Sequence, residues 1–346
     1  MPRLPVRDLD HALEHAENAW QALSGARVFI TGGTGFAGKW LLESLLWASD
    51  RRNLGISVSI LTRDPDRFRA ECPHLAGHPA LSVLAGSVQT FDFPAGEFPF
   101  VIHAATESYF EPDALRPGST FDLDLTGTRR VLEFARTHGA RRVLFTSSGA
   151  VYGKQPSEMT HIPEDYAGAP LTTDTESAYG QGKRASEFLC AMYARQYGFA
   201  GLIARLFAFI GPHLPLDRNF AAGNFIRDAI AGGPVRIQGD GTPCRSYLYA
   251  ADLAVWLWTI LTHGESARPY NVGSGRLVTI EGLARTIVKV ANEGTPIEIA
   301  GTPVPGAPPA RYVPSVERAH KELGLEPLIP IEEAVLRTYN WANEGK

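Results

Sequence analysis

The sequence predicts an α/β fold: a doubly wound parallel sheet followed by a smaller α/β part. Three observations predict it. β-rich runs alternate with helical patterns through the first two-thirds of the chain. A glycine-rich turn follows the first of those runs and opens a helix. Past Phe207 the texture changes, with frequent Gly and Pro and shorter strands.

The elements follow in order. Residues 1–23 read as a polar lead and a short amphipathic helix, an extension ahead of the sheet. Strands are expected at 27–31 (RVFIT), 57–62 (SVSILT), 81–85 (LSVLA), 100–104 (FVIHA), 142–147 (RVLFTS) and 201–207 (GLIARLF). Helices fall at 37–48, 119–138 and 178–197. Strand, helix, strand repeated in this way requires parallel strands covered on both faces. Further helices are expected at 219–231, 250–263 and 279–292, then a Pro-rich connection at 301–314, then helices at 315–323 and 331–343. The division is therefore an extension (1–23), a sheet domain (24–207) and a mainly substrate-binding domain (208–346). The segment about 246–263 is expected to pack back on the sheet domain.

Composition narrows the function. The chain has 346 residues, 44% of them hydrophobic, enough for a substantial core. A net charge of −4 without a basic tract argues against nucleic acid as a partner. The longest apolar run, 253–261, is too short to span a bilayer, and the start carries no apolar signal region. Cys72, Cys190 and Cys244 lie far apart, with no metal-ligand spacing. The expectation is a cytoplasmic protein with free thiols, no metal and no membrane partner.

RVFITGGTGFAGKWLLESLL is a strand, a glycine turn and a helix, with Gly32, Gly35 and Gly38 three residues apart. The first glycine makes the turn, the second lets a pyrophosphate approach the backbone, and the third lets helix pack on strand. The helix N-terminus supplies N–H groups and positive dipole. This is a Rossmann-type dinucleotide-binding pattern. At the end of the second strand Thr62 stands where NAD binders carry an acid, and Arg63 follows. An arginine there can pair with a 2′-phosphate, so the cofactor reads as NAD(P), leaning to NADP.

The stretch SAYGQGKRASE puts Tyr179 four residues before Lys183, on one helix face. The apolar stripe of that helix is read as Ala185, Phe188, Leu189 and Met192, roughly 220–240° round from Tyr179. The pair is thus expected to point away from the core stripe, toward a cleft. A surface tyrosine beside a snorkelling lysine is the plain alternative.

The order of Gly32-x-x-Gly35-x-x-Gly38, TSSGAVYG (146–153), Tyr179-x-x-x-Lys183 and RSYLYAADLA (245–254) resembles the extended short-chain dehydrogenase/reductases, more narrowly their nucleotide-sugar epimerase/dehydratase group. The resemblance covers roughly residues 26 to 325. It implies a catalytic set of Ser148, Tyr179 and Lys183. Tyr179 would exchange the sugar hydroxyl proton, Lys183 would lower its pKa and hold the nicotinamide ribose, and Ser148 would hydrogen-bond the reacting oxygen. It adds Thr34, Phe36, Ala104 and Ala105 to the cofactor-binding residues. It implies a nucleotide-diphosphate sugar as substrate, with Arg245 and Arg311 converging on the diphosphate, Ser108 on the sugar, and Asn219 and Asn224 lining the diphosphate or base pocket. It also implies a homodimer paired through helices 119–138 and 178–197.

The sequence departs from that pattern at several places. The Asp-Glu pair that dehydratases carry after the Ser/Thr is Gly149 and Ala150. The usual asparagine of the N-x-x-G-T helix is Asp124, that of R-x-x-N-x-x-G-P is Ala208, and the acid after the third strand is Ser87. The expected reaction is therefore epimerisation at carbon 4 through a 4-keto sugar, which needs only the residues present. A 4-keto-sugar reductase is the first alternative. An atypical 4,6-dehydratase using Glu107 or Asp124 comes next, and a catalytically silent dinucleotide sensor stands in a different class.

Overall fold

The structure is a computed structural model that describes residues 2–106, 117–218 and 220–344. Two short helices, α1 (Val6–His15) and α2 (Glu17–Leu23), precede strand β1 (Arg27–Thr31). Then come α3 (Phe36–Arg52), β2 (Ser57–Thr62), α4 (Pro65–Glu71), α5 (Pro73–Ala76), β3 (Leu81–Ala85) and β4 (Phe100–His103). Next are α6 (Pro117–Thr137), β5 (Arg142–Ser148), α7 (Ala178–Tyr197) and β6 (Ala200–Leu206). The remainder runs β7 (Phe209–Ile210), α8 (Ala221–Ile230), β8 (Val235–Ile237), β9 (Cys244–Arg245), β10 (Leu248–Tyr249) and α9 (Ala250–His263). It closes with β11 (Pro269–Val272), β12 (Val278–Thr279), α10 (Ile280–Ala291), β13 (Ile297–Ile299), β14 (Arg311–Tyr312), α11 (Glu317–Leu323) and α12 (Ile331–Glu344).

Seven strands form the main sheet in the order β11-β6-β5-β4-β1-β2-β3. From β3 across to β6 the pairings are parallel, which is the doubly wound 3-2-1-4-5-6 arrangement. The order reverses between β1 and β4. A ligand crevice belongs at the carboxyl ends of those strands.

The chain divides into two compact units. The first holds Met1–Gly153, Ala167–Leu206 and Ala254–Tyr270; the second holds Lys154–Tyr166, Phe207–Leu253 and Asn271–Lys346. The boundary therefore cuts α9 between Leu253 and Ala254.

In the first unit β1, β4 and β5 are almost wholly buried, and Phe29, Phe91, Phe98 and Phe134 pack ring on ring beneath the sheet. The N-terminal helices join this unit. The Leu4 N–H donates to Glu43 Oε2 at 2.9 Å, and the Trp20 and Trp258 rings lie 5.7 Å apart.

Helix α7 corrects the sequence reading. The expected apolar stripe splits, because Leu189 is buried while Phe188 is 69% exposed. The buried face is Gly180, Gly182, Lys183, Ser186, Leu189, Cys190, Tyr193 and Ala194. Small residues govern it: a Cβ on Gly180 would come within 2.8 Å of the Ala150 carbonyl oxygen, and one on Gly182 within 3.1 Å of Asp124. Close approach of α6 and the turn after β5, rather than bulk hydrophobicity, decides which side is covered. Lys183 thus lies inside that face, 1% exposed.

The second unit is built from short pieces. β10 pairs with β7, β13 with β8, and β9 lies between β12 and β14. Buried polar groups tie its loops together. Asp252 Oδ2 accepts from the Leu328 and Ile329 N–H groups, both at 3.0 Å, and Asn271 Nδ2 donates to the Ile162 and Ser315 carbonyls.

Candidate active site

The loop after β1 has the geometry its glycines call for. Gly32 has φ +75°, and a Cβ there would sit 2.5 Å from the Ala104 carbonyl and 2.6 Å from the Ala105 nitrogen. A Cβ on Gly38 would lie 2.1 Å from the Gly32 oxygen, so only glycine lets α3 pack on this loop. Gly35 differs: a Cβ there meets only the Gly32 oxygen, at 3.4 Å, which leaves open space above it. Gly35 also caps α3 without a side-chain acceptor, so its own residue offers no oxygen to the first-turn N–H groups. Thr34, Gly35 and Phe36 keep exposed surface while Gly38 is buried. Open space, a helix N-terminus without a capping side chain and a helix dipole together fit a dinucleotide pyrophosphate.

At the end of β2, Thr62 is buried and Arg63 is exposed. Asp64 caps α4 by accepting from the Arg67 N–H at 2.9 Å, with Pro65 at the first helical position. Its carboxylate is thereby committed to the helix.

Ser148 ends β5, is buried, and its Oγ accepts from the Ala150 N–H at 3.1 Å. Tyr179 lies in the first turn of α7 and its hydroxyl is hydrogen-bonded to Ser148. Burial pushes the phenol up to about 12, the Asp124 carboxylate adds to that, and the Ser148 hydrogen bond works against it. The Lys183 ammonium lies 5.5 Å from the Tyr179 ring centroid and 5.0 Å from that of Phe145. It donates to the Thr146 carbonyl at 3.4 Å and pairs with Asp124 Oδ1 at 3.4 Å. Burial lowers its pKa and Asp124 raises it again. So the structure brings Ser148, Tyr179 and Lys183 together, but with the tyrosine neutral. Burial is the largest influence on the phenol in this state, in which no cationic nicotinamide stands beside it.

Behind these groups runs a buried chain of hydrogen bonds that the sequence reading missed. Thr31 Oγ1 and His103 Nδ1 are 2.8 Å apart, and His103 Nε2 is 3.1 Å from Thr128 Oγ1. Thr128 donates to Ser186 at 3.0 Å, and Ser186 donates to the Asp124 carbonyl at 3.1 Å. Thr31 also accepts from the Ala105 N–H. Since the Thr128 proton goes to Ser186, His103 must donate through Nε2 and accept at Nδ1. It is a neutral histidine: burial, then the Lys183 charge, push its pKa down to about 3. A second network steadies the turn that follows Ser148. Glu187 accepts from Ser147 Oγ at 2.5 Å and from Arg205 at 2.9 and 2.7 Å, and Arg205 donates to the Tyr152 hydroxyl at 2.8 Å. The usable signals were a histidine inside an apolar strand and a glutamate one turn beyond Lys183. Gly149 and Ala150 form a 3-10 turn and carry no acid or base.

Of the other residues expected to hold substrate, Arg245, Arg311 and Asn224 lie in the second unit. Arg245 pairs in register with Tyr312 and its guanidinium carbon is 5.8 Å from that ring, while Arg311 pairs with Cys244. Neighbouring residues of a strand alternate faces, so the two arginine stems leave opposite faces of this small sheet. Arg245 Nη1 donates to the Cys244 carbonyl at 2.9 Å and Arg311 Nη1 to the Ser157 carbonyl. The expected convergence is therefore not built into the strands. Asn224 lies in α8, partly buried, and accepts from Arg227 at 3.3 Å. Ser108 and Asn219, and the alternative acid Glu107, lie outside the described residues. No group of His, Cys, Asp or Glu able to hold a metal ion occurs among the described residues. No helix among them is long and apolar enough to cross a membrane.

The comparisons with known proteins fit this geometry. Residues 28–273 match the NAD dependent epimerase/dehydratase family. UDP-glucuronic acid decarboxylase 5 of Arabidopsis thaliana is 28% identical over 315 residues, 90% of this chain and 88% of that protein. The structure of UDP-glucose 4-epimerase from Thermotoga maritima with UDP-glucose superposes with a TM-score of 0.77 at 22% identity, covering 92% of this chain and 99% of that one. The Bordetella bronchiseptica enzyme WbmF in complex with NAD+ and UDP gives a TM-score of 0.75 at 21% identity, covering 93% of each chain. The chain belongs to the NAD-dependent epimerase/dehydratase family of the extended short-chain dehydrogenase/reductases, and it is an enzyme.

Proposed function

We propose that the chain modifies a nucleotide-diphosphate sugar at carbon 4, by epimerisation through a 4-keto sugar. The observation that carries this is the Ser148–Tyr179 hydrogen bond beside Lys183, with Gly149 and Ala150 where an acid/base pair for water loss would stand. The bound dinucleotide would supply a hydride acceptor and donor. The protein's own share is to hold the carbon 4 oxygen between Ser148 and Tyr179, and to carry its proton on the Tyr179 oxygen. Hydride delivery to a 4-keto carbon, with a proton to its oxygen, is the step that epimerases and reductases share, and it needs no further acid/base pair. Arg245, Arg311 and Asn224 are the proposed substrate contacts, and Arg245 is the first choice for the diphosphate.

A reductase is the second reading, and one observation favours it. Asp64 is committed to capping α4 while Arg63 stays exposed at the end of β2, an arrangement that suits a 2′-phosphate and hence NADP. We further propose a homodimer paired through α6 and α7, whose outer side leaves Phe188 69% and Tyr197 42% exposed. Its compartment is proposed as the cytoplasm, in keeping with three free, buried cysteines.

A panel of nucleotide sugars, read by mass spectrometry, tests the reaction. An isomeric product of unchanged mass is expected. A gain of two hydrogens would assign a reductase, and loss of water a dehydratase. Loss of carbon dioxide from a nucleotide-linked uronic acid would assign the activity after which the Arabidopsis relative is named.

A further inference from the structure

Among the described residues, Asp124 is a carboxylate that pairs directly with one of the proposed proton-transfer groups, Lys183. It sits on α6 facing α7, with its side chain 2% exposed, and Lys183 at the other end of the ion pair is 2% exposed as well. Three things hold it. Thr106 donates to Oδ1 at 3.2 Å, Lys183 lies 3.4 Å from the same oxygen, and Ser186 donates to its backbone carbonyl at 3.1 Å. Gly182, between Tyr179 and Lys183, leaves the room it fills, since a Cβ there would come within 3.1 Å of both its Cβ and Oδ2.

The other ionisable groups packed around this point, among the described residues, have partners, stay neutral or are exposed. Glu187, one turn beyond Lys183, is paired with Arg205. His103 on β4 is neutral and donates to Thr128. Cys190 on α7 is a thiol held protonated by burial. Asp122 and Arg129, on the same helix as Asp124, are exposed, where water screens them. Among the described residues, what remains beside these groups is one buried cation and one buried anion.

We propose that Asp124 is a positioning residue that fixes the Lys183 ammonium and offsets its charge, so that Tyr179 rests as the proton-donating phenol and ionises only at alkaline pH or beside a cationic nicotinamide. This rests on the proposed role of Tyr179 and extends it. A carboxylate paired to the ammonium at 3.4 Å offsets its pull on the phenol, whereas an ammonium alone favours the phenolate. A resting phenol can give its proton to a keto oxygen at once. To take a proton from a hydroxyl it must first ionise. The pair therefore biases the site toward the reductive half of the reaction.

The test is Asp124→Asn, which keeps the shape and an acceptor for Thr106. The readout is ultraviolet difference titration of tyrosinate near 295 nm, with Tyr179→Phe counterparts subtracted to isolate Tyr179, on protein as purified and with added NAD+. The expected result is a Tyr179 midpoint about one to two pH units lower in Asp124→Asn. The alkaline rise of sugar oxidation should move down by the same amount. An unchanged midpoint with a lowered melting temperature would assign Asp124 to packing and overturn the proposal. If Asp124→Asn does not fold, the wild-type titration decides without it. A Tyr179 midpoint at or above that of free tyrosine in the absence of NAD+ supports the proposal, and one below about 8 overturns it. A midpoint that moves in a protein turning over no nucleotide sugar keeps the electrostatic pair and removes the substrate assignment. Turnover with an immobile midpoint does the reverse.

Discussion

Ser148, Tyr179 and Lys183 stand on a seven-residue strand that is almost wholly buried and a twenty-residue helix buried along one side. Arg245 and Arg311 stand on strands of two residues each, and their stems leave opposite faces. In the first unit the backbone itself aims the reactive groups, because every residue of β5 from Arg142 to Ser148 is in register with β6. In the second, the proposed substrate contacts are long side chains on short strands. The difference teaches where each unit should fail. Changes in the first act through packing and protonation and should be severe. Changes in the second act through single contacts and should be graded.

The largest expected effect comes from acid acting on the first unit. His103 is neutral when folded, with its pKa pushed down to about 3, and would titrate near 6.5 when unfolded. Between those values the unfolded chain binds the extra proton. Stability is therefore intact above about pH 6.5 and falls as the pH drops toward 3, by about 4 kcal/mol in all. Melting temperatures from pH 7 to pH 4 should decline steeply, and His103→Gln should flatten the slope while lowering the plateau. A wild-type slope equal to that of the variant would break the comparison.

A packing pair sharpens it next. Gly38→Ala forces a Cβ onto the Gly32 carbonyl at 2.1 Å and should cost about 3 kcal/mol of stability, read by chemical denaturation. Gly35→Ala meets only an oxygen at 3.4 Å and should melt near wild type, yet weaken dinucleotide binding by crowding the open space. Equal destabilisation by both would mean that the loop has no dedicated opening.

Smaller effects belong to single charges. Arg63→Ala should weaken NADP about ten- to a hundredfold and NAD little, measured by fluorescence titration. In the second unit, Arg245→Met should weaken the nucleotide sugar by about tenfold with turnover nearly kept, and Arg311→Met should do less. Equal losses from the two arginines would mean that the side chains converge despite their opposite starting faces.

The sequence made the sheet unit legible because its elements are long. β1, β2 and β3 and helices α7 and α9 fall on the residues that pattern and turn chemistry picked out. The two-residue strands of the second unit were not legible, since two residues carry no alternation. The buried face of α7 was misread for a different reason. Its close contacts are made by Gly180, Gly182 and Ser186, and a hydrophobic stripe counts Phe188 instead. The glycine loop and the Ser148–Tyr179–Lys183 grouping were visible as motifs, because motif spacing reflects backbone geometry. The environment of Tyr179 was not, because it is set first by burial and then by Ser148 and by Asp124, which lies 55 positions away and meets the site only after α6 packs on α7.

The most direct test of the central claim is turnover of a nucleotide-diphosphate sugar carrying deuterium at carbon 4, by wild type and by Tyr179→Phe. The claim predicts that wild type returns an isomer still carrying the deuterium at carbon 4. It predicts that Tyr179→Phe slows this roughly 100- to 10,000-fold while nucleotide affinity and melting temperature hold. An isomer formed with loss of the deuterium, or a Tyr179→Phe enzyme turning over near the wild-type rate, would contradict it.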